Sequence, residues 1–300
     1  MSQYRRSILS VPGHQQKMHV KASQTNADVI MLDLEDSVPV QDKVTARSQV
    51  VQSLTTMNWQ NKVMTVRINS LDTQFAYQDL IELGEHAGQS INAFVIPKVN
   101  HPGDIYFVDR LLQGIELSKK FSQHLLIEAS IETAQGLENV SAIAKVSHRL
   151  IALVFGIADY SASIGARLIS ISGHGENEDV IYPGHRWHFA LSRMVMAAKA
   201  NGLFAIDAPY GNFKDHEGLN QSASMAAALG CNGKWAIHPS QIDTIHTVFT
   251  PTQEEIQRAT QIITAFELQS NCSKGAIAIE GRMVDHATYR MAKQLLNHII

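Results

Sequence analysis

Residues 29–38 read VIMLDLEDSV, and this short stretch carries the pattern that decides the fold. An uninterrupted apolar run comes first and is typical of a buried strand. The acids Asp33, Glu35 and Asp36 follow it, and a segment with helical periodicity comes after them. A buried strand that ends in polar residues and leads into a helix predicts one βα unit, with its chemistry at the carboxyl end of the strand.

The same unit recurs along the chain. We predict eight strands, at residues 7–11, 29–34, 63–68, 93–97, 125–131, 150–156, 203–207 and 234–238. Eight parallel strands alternating with helices close into a barrel, whereas doubly wound sheets usually have fewer. The chain of 300 residues suits one such domain. We therefore predict an α/β protein with a (β/α)8 TIM barrel over residues 1–250 and a C-terminal helical extension over residues 251–300.

Two segments depart from the repeat. Residues 166–187 form a Gly-rich and Pro-containing insertion after the sixth strand, and such an insertion belongs on the catalytic face of a barrel. In the tail we predict a helix over residues 252–268, a short apolar run at residues 276–279 and a last helix from about residue 285. We expect this tail to pack on a neighbouring subunit or to cover its site.

The composition is that of an ordinary folded protein, with 45% hydrophobic residues, 18% charged residues and a formal net charge of −3. Basic residues are scattered and balanced by acids, so no nucleic acid or anionic membrane partner is expected. No apolar run approaches the ~18 residues of a membrane span. Cys231 and Cys272 show neither disulfide nor metal spacing. We expect a soluble, cytoplasmic protein.

Charged and polar residues follow most of the predicted strands. The set consists of Asp33, Glu35, Asp36, Arg67, Asn69, Lys98, Glu132, Asp159, Asp207 and His238. In a barrel these positions meet at one mouth, and several carboxylates there repel each other unless a cation lies among them. Oxygen ligands favour a hard divalent ion, with Mg²⁺ first, over zinc.

Each of these residues also has a purely structural interpretation. Asp33 could cap a loop, Asp36 could cap the helix that begins near residue 40, and His238 precedes a proline at a helix start. Glu132 and Asp159 could pair with the basic side chains that end the third and fourth strands. The arginine among those bases could then serve only to neutralise the acidic ring.

Eight motifs resemble one enzyme family, in order and over essentially the whole chain. They are LSVPG (9–13), LDLEDSV (32–38), VRINSLDT (66–73), IPKV (96–99), IETAQG (131–136), GIAD (156–159), GKWAIHPSQ (233–241) and GRMVD (281–285). Together they resemble the family of HpcH/HpaI aldolases, citrate lyase β-subunits and malyl-CoA lyases. The third and fourth units look closest to the malyl-CoA and citramalyl-CoA lyases.

The resemblance implies a Mg²⁺-dependent carbon–carbon lyase, with Mn²⁺ as a possible substitute. The substrate would be a 3-hydroxyacyl-CoA of the malyl-CoA, methylmalyl-CoA or citramalyl-CoA type, cleaved to acetyl-CoA or propionyl-CoA and glyoxylate or pyruvate. The family's metal ligands fall on Glu132 and Asp159. Glu35 and Asp36 match acids that the family holds near the ion through water.

The resemblance also assigns catalytic and CoA-binding positions. Arg67 matches the arginine that contacts the oxo acid and the thioester oxygen, and Asp285 matches a tail aspartate that completes the site of an adjacent subunit. A homotrimer or homohexamer is therefore implied. The positions expected to contact CoA or substrate are Ser10, Lys21, Ala158, Ile237 and His238. One departure is Gln15, where some relatives carry arginine, although Lys17 and Lys21 could supply the charge.

Three other functions remain open at this point. A citrate lyase β-subunit would act on a citryl thioester carried by an acyl carrier protein, within a complex of several subunits. A free-standing aldolase would cleave hydroxy acids that carry no CoA. A catalytically silent CoA-binding protein is a different class, and it would not need the strand-end acids.

Overall fold

The computed structural model describes residues 5–60, 62–166, 186–270, 276–279 and 281–297. The chain divides into two compact units, Met1–Thr247 and Val248–Ile300. Most of the predicted insertion after the sixth strand, residues 167–185, lies outside the described residues, as does Cys272.

The first unit is a closed barrel of eight parallel strands, as predicted. The strands are β1 (Ser7–Pro12), β2 (Val29–Asp33), β3 (Val63–Arg67), β4 (Ala93–Ile96), β5 (Leu126–Ile131), β6 (Leu150–Phe155), β7 (Phe204–Asp207) and β8 (Gly233–Ala236). Each strand pairs with the next in sequence, and β8 pairs with β1 to close the ring. All eight predicted strands are confirmed, with ends that differ by one or two residues.

Helices connect the strands and surround the barrel. They are α1 (Gln16–Ser23), α2 (Lys43–Thr56), α3 (Ala76–Ala87), α4 (Pro102–Lys119), α5 (Ala134–Glu138), α6 (Val140–Ile143), α7 (Ile157–Ser163), α8 (His188–Ala200), α9 (His216–Ala228) and α10 (Ile242–Phe249). The longest of them, α4, begins with Pro102 after a reciprocal cap between His101 and Asp104, and Lys120 ends it in the left-handed conformation. Among the described helices, none is long and apolar enough to span a membrane.

The barrel interior is apolar in the middle and charged at both ends. Met31, Val95 and Trp235 belong to one buried cluster that draws on most of the strands. At the amino end the guanidinium of Arg5 pairs with Glu128, and both side chains are buried. Because side chains alternate along a strand, the residues two positions beyond the buried cluster point toward the mouth at the carboxyl end.

The second unit contains a strand pair that sequence analysis did not predict. Helix α11 (Gln253–Ser270) is followed by the antiparallel strands β9 (Ala276–Ile279) and β10 (Arg282–Asp285) and then by α12 (His286–Asn297). Phe266 and Val284 form the centre of its small core, and Tyr289 stacks on Phe266 at 4.9 Å. Strands of four residues are too short to show a periodic pattern, which explains why only a short apolar run could be recognised.

The seam between β8 and β1 requires a glycine at position 233, and this requirement yields a stability prediction. A Cβ atom there would lie 1.9 Å from the main-chain oxygen of Arg5. We expect Gly233→Ala to lower the free energy of unfolding by about 3 kcal/mol, because backbone atoms must move apart. The matched control is Gly114→Ala, since a Cβ at this exposed position of α4 meets no atom within 4 Å. It should be neutral or stabilise by up to ~1 kcal/mol. Urea denaturation of both variants measures the difference, and equal stabilities would contradict the prediction.

Candidate active site

The residues predicted at the mouth of the barrel lie on consecutive strand ends. Asp33 is the last residue of β2, Arg67 is the last residue of β3, and Glu132 follows β5 directly. Asp159 lies in the first turn of α7, after β6, and Lys98 lies two residues beyond β4. The carboxyl ends of parallel strands share one face of a barrel, so these side chains converge.

A buried ion pair fixes Arg67 in one orientation. Its Nε donates to Asp33 Oδ1 at 2.6 Å and its Nη2 donates to Asp33 Oδ2 at 2.7 Å. The Cζ atom also lies 5.4 Å from the ring centroid of Trp235. Burial disfavours the charge of Asp33, yet the adjacent guanidinium holds the pKa of this carboxyl below its ordinary value. Both groups are therefore ionised, and the guanidinium keeps N–H groups that Asp33 does not engage.

Asp33 also shapes the turn that carries the next acid. Its Oδ1 accepts a hydrogen bond from the main-chain N of Glu35 at 2.9 Å, and its Oδ2 accepts one from the main-chain N of Ser37 at 3.3 Å. The structural interpretation of Asp33 is thus correct. The short helix at residues 40–42 has Pro39 at its N-cap position, so Asp36 does not cap it.

Glu35 lies between the two bases of the site. Its Oε2 is 2.9 Å from Arg67 Nη1, although the angle is not that of a hydrogen bond, and its Oε1 accepts from Lys98 Nζ at 2.5 Å. Burial, reinforced by the neighbouring carboxylate of Asp36, raises the pKa of Glu35 above its usual value. Two cations lie beside this carboxylate, yet burial still makes its charged form less favourable than that of a carboxylate in water.

Lys98 contacts more acids than the sequence analysis predicts. Its Nζ lies 3.6 Å from Asp36 Oδ2 and 3.6 Å from Asp159 Oδ1, in addition to its contact with Glu35. Its main-chain N donates to Glu132 Oε1 at 2.7 Å. The proposed salt bridge between Asp159 and Lys98 is therefore present.

Glu132 is an almost fully buried acid of the group, with 2% of its surface exposed. Burial, together with the neighbouring carboxylates of Glu35 and Asp159, raises its pKa to about 7. Gly156 packs against it so closely that a Cβ at position 156 would lie 2.2 Å from Glu132 Oε2. A glycine after β6 thus leaves the space in which the carboxylate lies.

These side chains fit a hard divalent cation. Among the described residues no three His, Cys, Asp or Glu side chains form a complete ligand set. Magnesium does not require one, because one or two carboxylates plus water and substrate oxygens complete its shell. Burial and then the repulsion of neighbouring acids raise the pKa of Glu132, and a nearby cation would favour its charged form against both. An ammonium group already lies between Glu35 and Asp159, which shows that this position attracts positive charge.

The positions expected to contact CoA are only partly brought together. Ser10 is half-buried on β1, Ala158 is exposed in the first turn of α7, and Ile237 follows β8, so these three lie on the carboxyl face. Lys21 is exposed in the last turn of α1. His238 Nδ1 accepts from Ser240 N at 3.2 Å, and the ring stacks on Phe213 at 4.7 Å, so its structural interpretation is also supported.

Two of the predicted strand-end residues are not part of the site. Asn69 donates to Asp79 Oδ2 at 2.7 Å and is buried with it. Asp207 accepts from Lys234 Nζ at 2.5 Å, and the same ammonium donates to Ser222 on α9. Asp207 follows the inward-facing Ile206, so alternation directs it out of the barrel, toward the helix layer.

Asp285 belongs to the second unit, where it ends β10 and caps α12. Its Oδ1 accepts from Thr288 N at 2.9 Å, from Thr288 Oγ1 at 3.1 Å and from Ala287 N at 3.0 Å. These hydrogen bonds hold the pKa of Asp285 below its ordinary value. The carboxylate is therefore ionised at neutral pH.

Sequence reasoning underrated two residues of the site. Lys98 follows the fourth predicted strand, and the sequence predicts for it only a salt bridge with Glu132 or Asp159. Trp235 was not identified, although it stands beside Lys234 in the quoted motif at residues 233–241. Its parity along β8 would have placed it inside the barrel, opposite the end of β3.

Comparison with known proteins places the chain in one family. The family model HpcH/HpaI aldolase/citrate lyase matches residues 6–239. The chain is 38% identical to the L-malyl-CoA/beta-methylmalyl-CoA lyase of Cereibacter sphaeroides, over 95% of this chain and 91% of that protein. It is 34% identical to the mitochondrial citramalyl-CoA lyase of Mus musculus, over 97% of this chain and 85% of that protein.

Among solved structures, it is similar to the protein CitE of Mycobacterium tuberculosis in complex with magnesium, acetoacetate and coenzyme A. The TM-score is 0.76, the sequence identity is 27%, and the match covers 99% of this chain and 98% of that one. A barrel with these strand-end residues, a family match over most of the chain and relatives aligned over nearly their whole length lead to one conclusion: this chain belongs to the HpcH/HpaI aldolase/citrate lyase family.

Proposed function

We propose that this protein is a Mg²⁺-dependent lyase that cleaves a short 3-hydroxyacyl-CoA, of the malyl-CoA, methylmalyl-CoA or citramalyl-CoA type. The products would be acetyl-CoA or propionyl-CoA and glyoxylate or pyruvate. The observation that carries the proposal is the juxtaposition of a fixed guanidinium, Arg67, with an oxygen-only cluster of acids at the mouth of the barrel. The names of the aligned lyases support the same substrate class.

The reaction requires that the carbon–carbon bond next to the hydroxyl-bearing carbon breaks. The hydroxyl proton leaves, a carbonyl forms on the oxo acid, and the electron pair passes into the thioester as an enolate. The enolate then takes up a proton to give the acyl-CoA product. Each of these steps moves charge, so the site must place opposite charges beside the oxygens and carbon concerned.

Glu132 and Asp159 are the residues that we assign to the metal, with Glu35 and Asp36 beside it. A bound Mg²⁺ supplies Lewis acidity toward the hydroxyl and carboxylate oxygens of the substrate. Glu132 is held in place by the main-chain N of Lys98, and Asp159 is partly exposed at the mouth. The site therefore offers one fixed and one accessible carboxylate.

Arg67 is the residue that we assign to the enolate. Asp33 holds its plane through two parallel hydrogen bonds, so the N–H groups that remain have a fixed direction. A fixed cation beside the thioester oxygen stabilises the negative charge that develops there, an effect worth several kcal/mol in a dry site. Because Arg67 cannot lose its proton at physiological pH, it orients and stabilises but does not exchange protons.

Asp285 is the candidate for proton exchange at the carbon of the acyl-CoA. Its carboxylate is ionised in the second unit, which suits the removal of a proton in the condensation direction. For cleavage it must carry a proton, which burial in an assembled site would favour. We propose that it acts on the barrel of an adjacent subunit in a homotrimer or homohexamer.

Five further residues and the location of the enzyme belong to the same function. Ser10, Lys21, Ala158, Ile237 and His238 are proposed to contact CoA or substrate. We place the enzyme in the cytoplasm, which agrees with the buried free thiol of Cys231. Mn²⁺ is proposed as a substitute for Mg²⁺, since it also prefers oxygen ligands.

The purified chain should cleave malyl-CoA, methylmalyl-CoA or citramalyl-CoA without any partner protein, and EDTA should abolish the reaction. Glu132→Gln and Asp159→Asn remove a ligand charge at nearly constant volume, so we expect each to lower Mg²⁺-dependent turnover about a hundredfold or more. Glu138→Gln is the matched control, because Glu138 is exposed on α5 and its substitution should leave turnover unchanged. Spectrophotometric detection of the oxo acid measures all four proteins. Turnover only with an acyl carrier protein, or full turnover in EDTA, would contradict the proposal.

Arg67→Lys retains the positive charge but should lower turnover ~10²-fold. An ammonium cannot hold two parallel bonds to Asp33 and still present N–H groups in a fixed direction. Arg110→Lys is the control, since Arg110 is half-exposed on α4 and pairs with its neighbour Asp109. Measurement of kcat and KM for both variants tests the assignment. If Arg67→Lys turns over at the wild-type rate, Arg67 only neutralises the acids.

Two inactive variants should restore activity when their subunits mix. Asp285→Ala and Arg67→Ala each remove one half of a site that we assign to two different chains. After subunit exchange, some sites should pair an intact Arg67 with an intact Asp285, and turnover should recover to a fraction of the wild-type value. A mixture of Glu132→Gln with Arg67→Ala is the control and should stay inactive. Both residues are needed in the same barrel, and each variant chain lacks one of them, so subunit exchange cannot restore a complete barrel. Mass spectrometry of labelled subunits verifies exchange; proven exchange without recovery would show that the tail acts within its own chain or has no role.

A further inference from the structure

Lys98 is the one residue that contacts all four acids of the proposed metal site among the described residues. Its main-chain N donates to Glu132, and its Nζ lies within 3.6 Å of Glu35, Asp36 and Asp159. The proposed reaction gives no role to its ammonium group. A residue with this many partners at one site is expected to influence how the site holds a cation.

The backbone of Lys98 is unusual as well. Its φ angle is +52°, in the left-handed region that residues other than glycine rarely adopt. This conformation directs the N–H of residue 98 to Glu132 Oε1 while the side chain of the same residue reaches Glu35. The strained backbone therefore serves two contacts at once.

The ammonium and a divalent ion would compete for the carboxylate of Asp159, and both would lie beside Glu35 and Asp36. Lys98 Nζ is 2.5 Å from Glu35 Oε1 and 3.6 Å from Asp159 Oδ1, so it neutralises acids that would otherwise repel each other. A Mg²⁺ ion ligated by Asp159 would lie within a few ångströms of this ammonium, and like charges at that distance repel strongly in a partly buried site. With 26% of its side chain exposed, Lys98 has a path along which its flexible stem can withdraw.

We propose that Lys98 is a positioning residue that sets the metal affinity of the site. Its main-chain N–H fixes Glu132, and its ammonium is an internal counter-ion that a divalent cation must displace from Asp159 and its neighbours. The acids therefore stay assembled when no metal is bound, and the enzyme binds Mg²⁺ more weakly than the same acids would alone. This inference rests on the metal assignment of the proposed function.

Calorimetric titration with MgCl₂ tests the competition directly. Lys98→Met removes the charge and should tighten the dissociation constant for Mg²⁺ about tenfold, because the repulsion is lost. Lys98→Gly also removes the charge but accepts the positive φ and keeps the N–H for Glu132, so it should bind at least as tightly. Lys98→Arg keeps the charge and should stay near the wild-type value. Lys145→Met, an exposed lysine far along the chain on the amino side of β6, is the control and should leave Mg²⁺ binding unchanged.

Thermal unfolding in EDTA provides a readout that does not involve metal binding. Lys98→Met should lower the Tm of the metal-free protein by about 3 °C, because Glu35, Asp36 and Asp159 lose their shared cation. Saturating MgCl₂ should close the gap to wild type. A Tm equal to that of wild type in EDTA would show that the ammonium does not hold the acids together and would overturn the inference.

Mg²⁺ titration distinguishes an error in the metal assignment from an error in the role of Lys98. If wild-type protein binds Mg²⁺, and Glu132→Gln and Asp159→Asn weaken that binding, the metal assignment holds. An unchanged or weaker affinity in Lys98→Met would then overturn the role of Lys98 alone. Wild-type protein that binds no Mg²⁺, or binds it equally well without both carboxylates, would overturn the metal assignment and this inference with it.

Discussion

The two-bond ion pair between Asp33 and Arg67 is the contact on which the rest of the site depends. It joins the last residues of β2 and β3, which are also opposite each other in the register of the barrel. The pair lies inside the mouth, where water is excluded from one side, so the pairing resists exchange with solvent. Removal of either residue would leave the charge of the other buried and unpaired. The same carboxylate anchors the turn that carries Glu35, and Glu35 in turn contacts Lys98. Each of these side chains is thus oriented by a charged neighbour on an adjacent strand end.

Charge alternates around this mouth, and the alternation explains why so many ionised groups tolerate close approach. Asp33, Arg67, Glu35 and Lys98 form a chain of opposite charges, and each base touches at least one acid. Glu132 stands apart because its hydrogen bond to Lys98 comes from a main-chain amide and carries no net charge. Burial, together with the neighbouring carboxylates of Glu35 and Asp159, makes Glu132 the acid of the site whose pKa rises furthest.

Much of this arrangement could be read from the sequence because a barrel converts chain order into spatial order. Once the eight apolar runs are recognised, the residues at the end of each run or just after it must lie at the mouth. This rule places Arg67, Lys98, Glu132 and Asp159 there. The pattern does not predict in which direction a side chain points when it lies at the very end of a strand. Asp207 and Asn69 occupy strand ends too, yet one faces α9 and the other pairs with Asp79, because parity and local hydrogen bonds decide which way a terminal side chain points. The hairpin of β9 and β10 was missed for a different reason, since four-residue strands leave no period to detect.

The contact between Gly156 and Glu132 has a consequence for how this enzyme can change. The two positions lie on neighbouring strand ends, and the space needed by one carboxylate is the space that a side chain at position 156 would fill. Substitutions at the two positions are therefore epistatic. A larger residue at position 156 is acceptable only with a shorter acid at position 132. Either change alone lowers activity, so selection cannot take one of them first without loss. A mutant library that varies the mouth of this barrel should randomise positions 132 and 156 together, since a scan of single positions would score both as immutable.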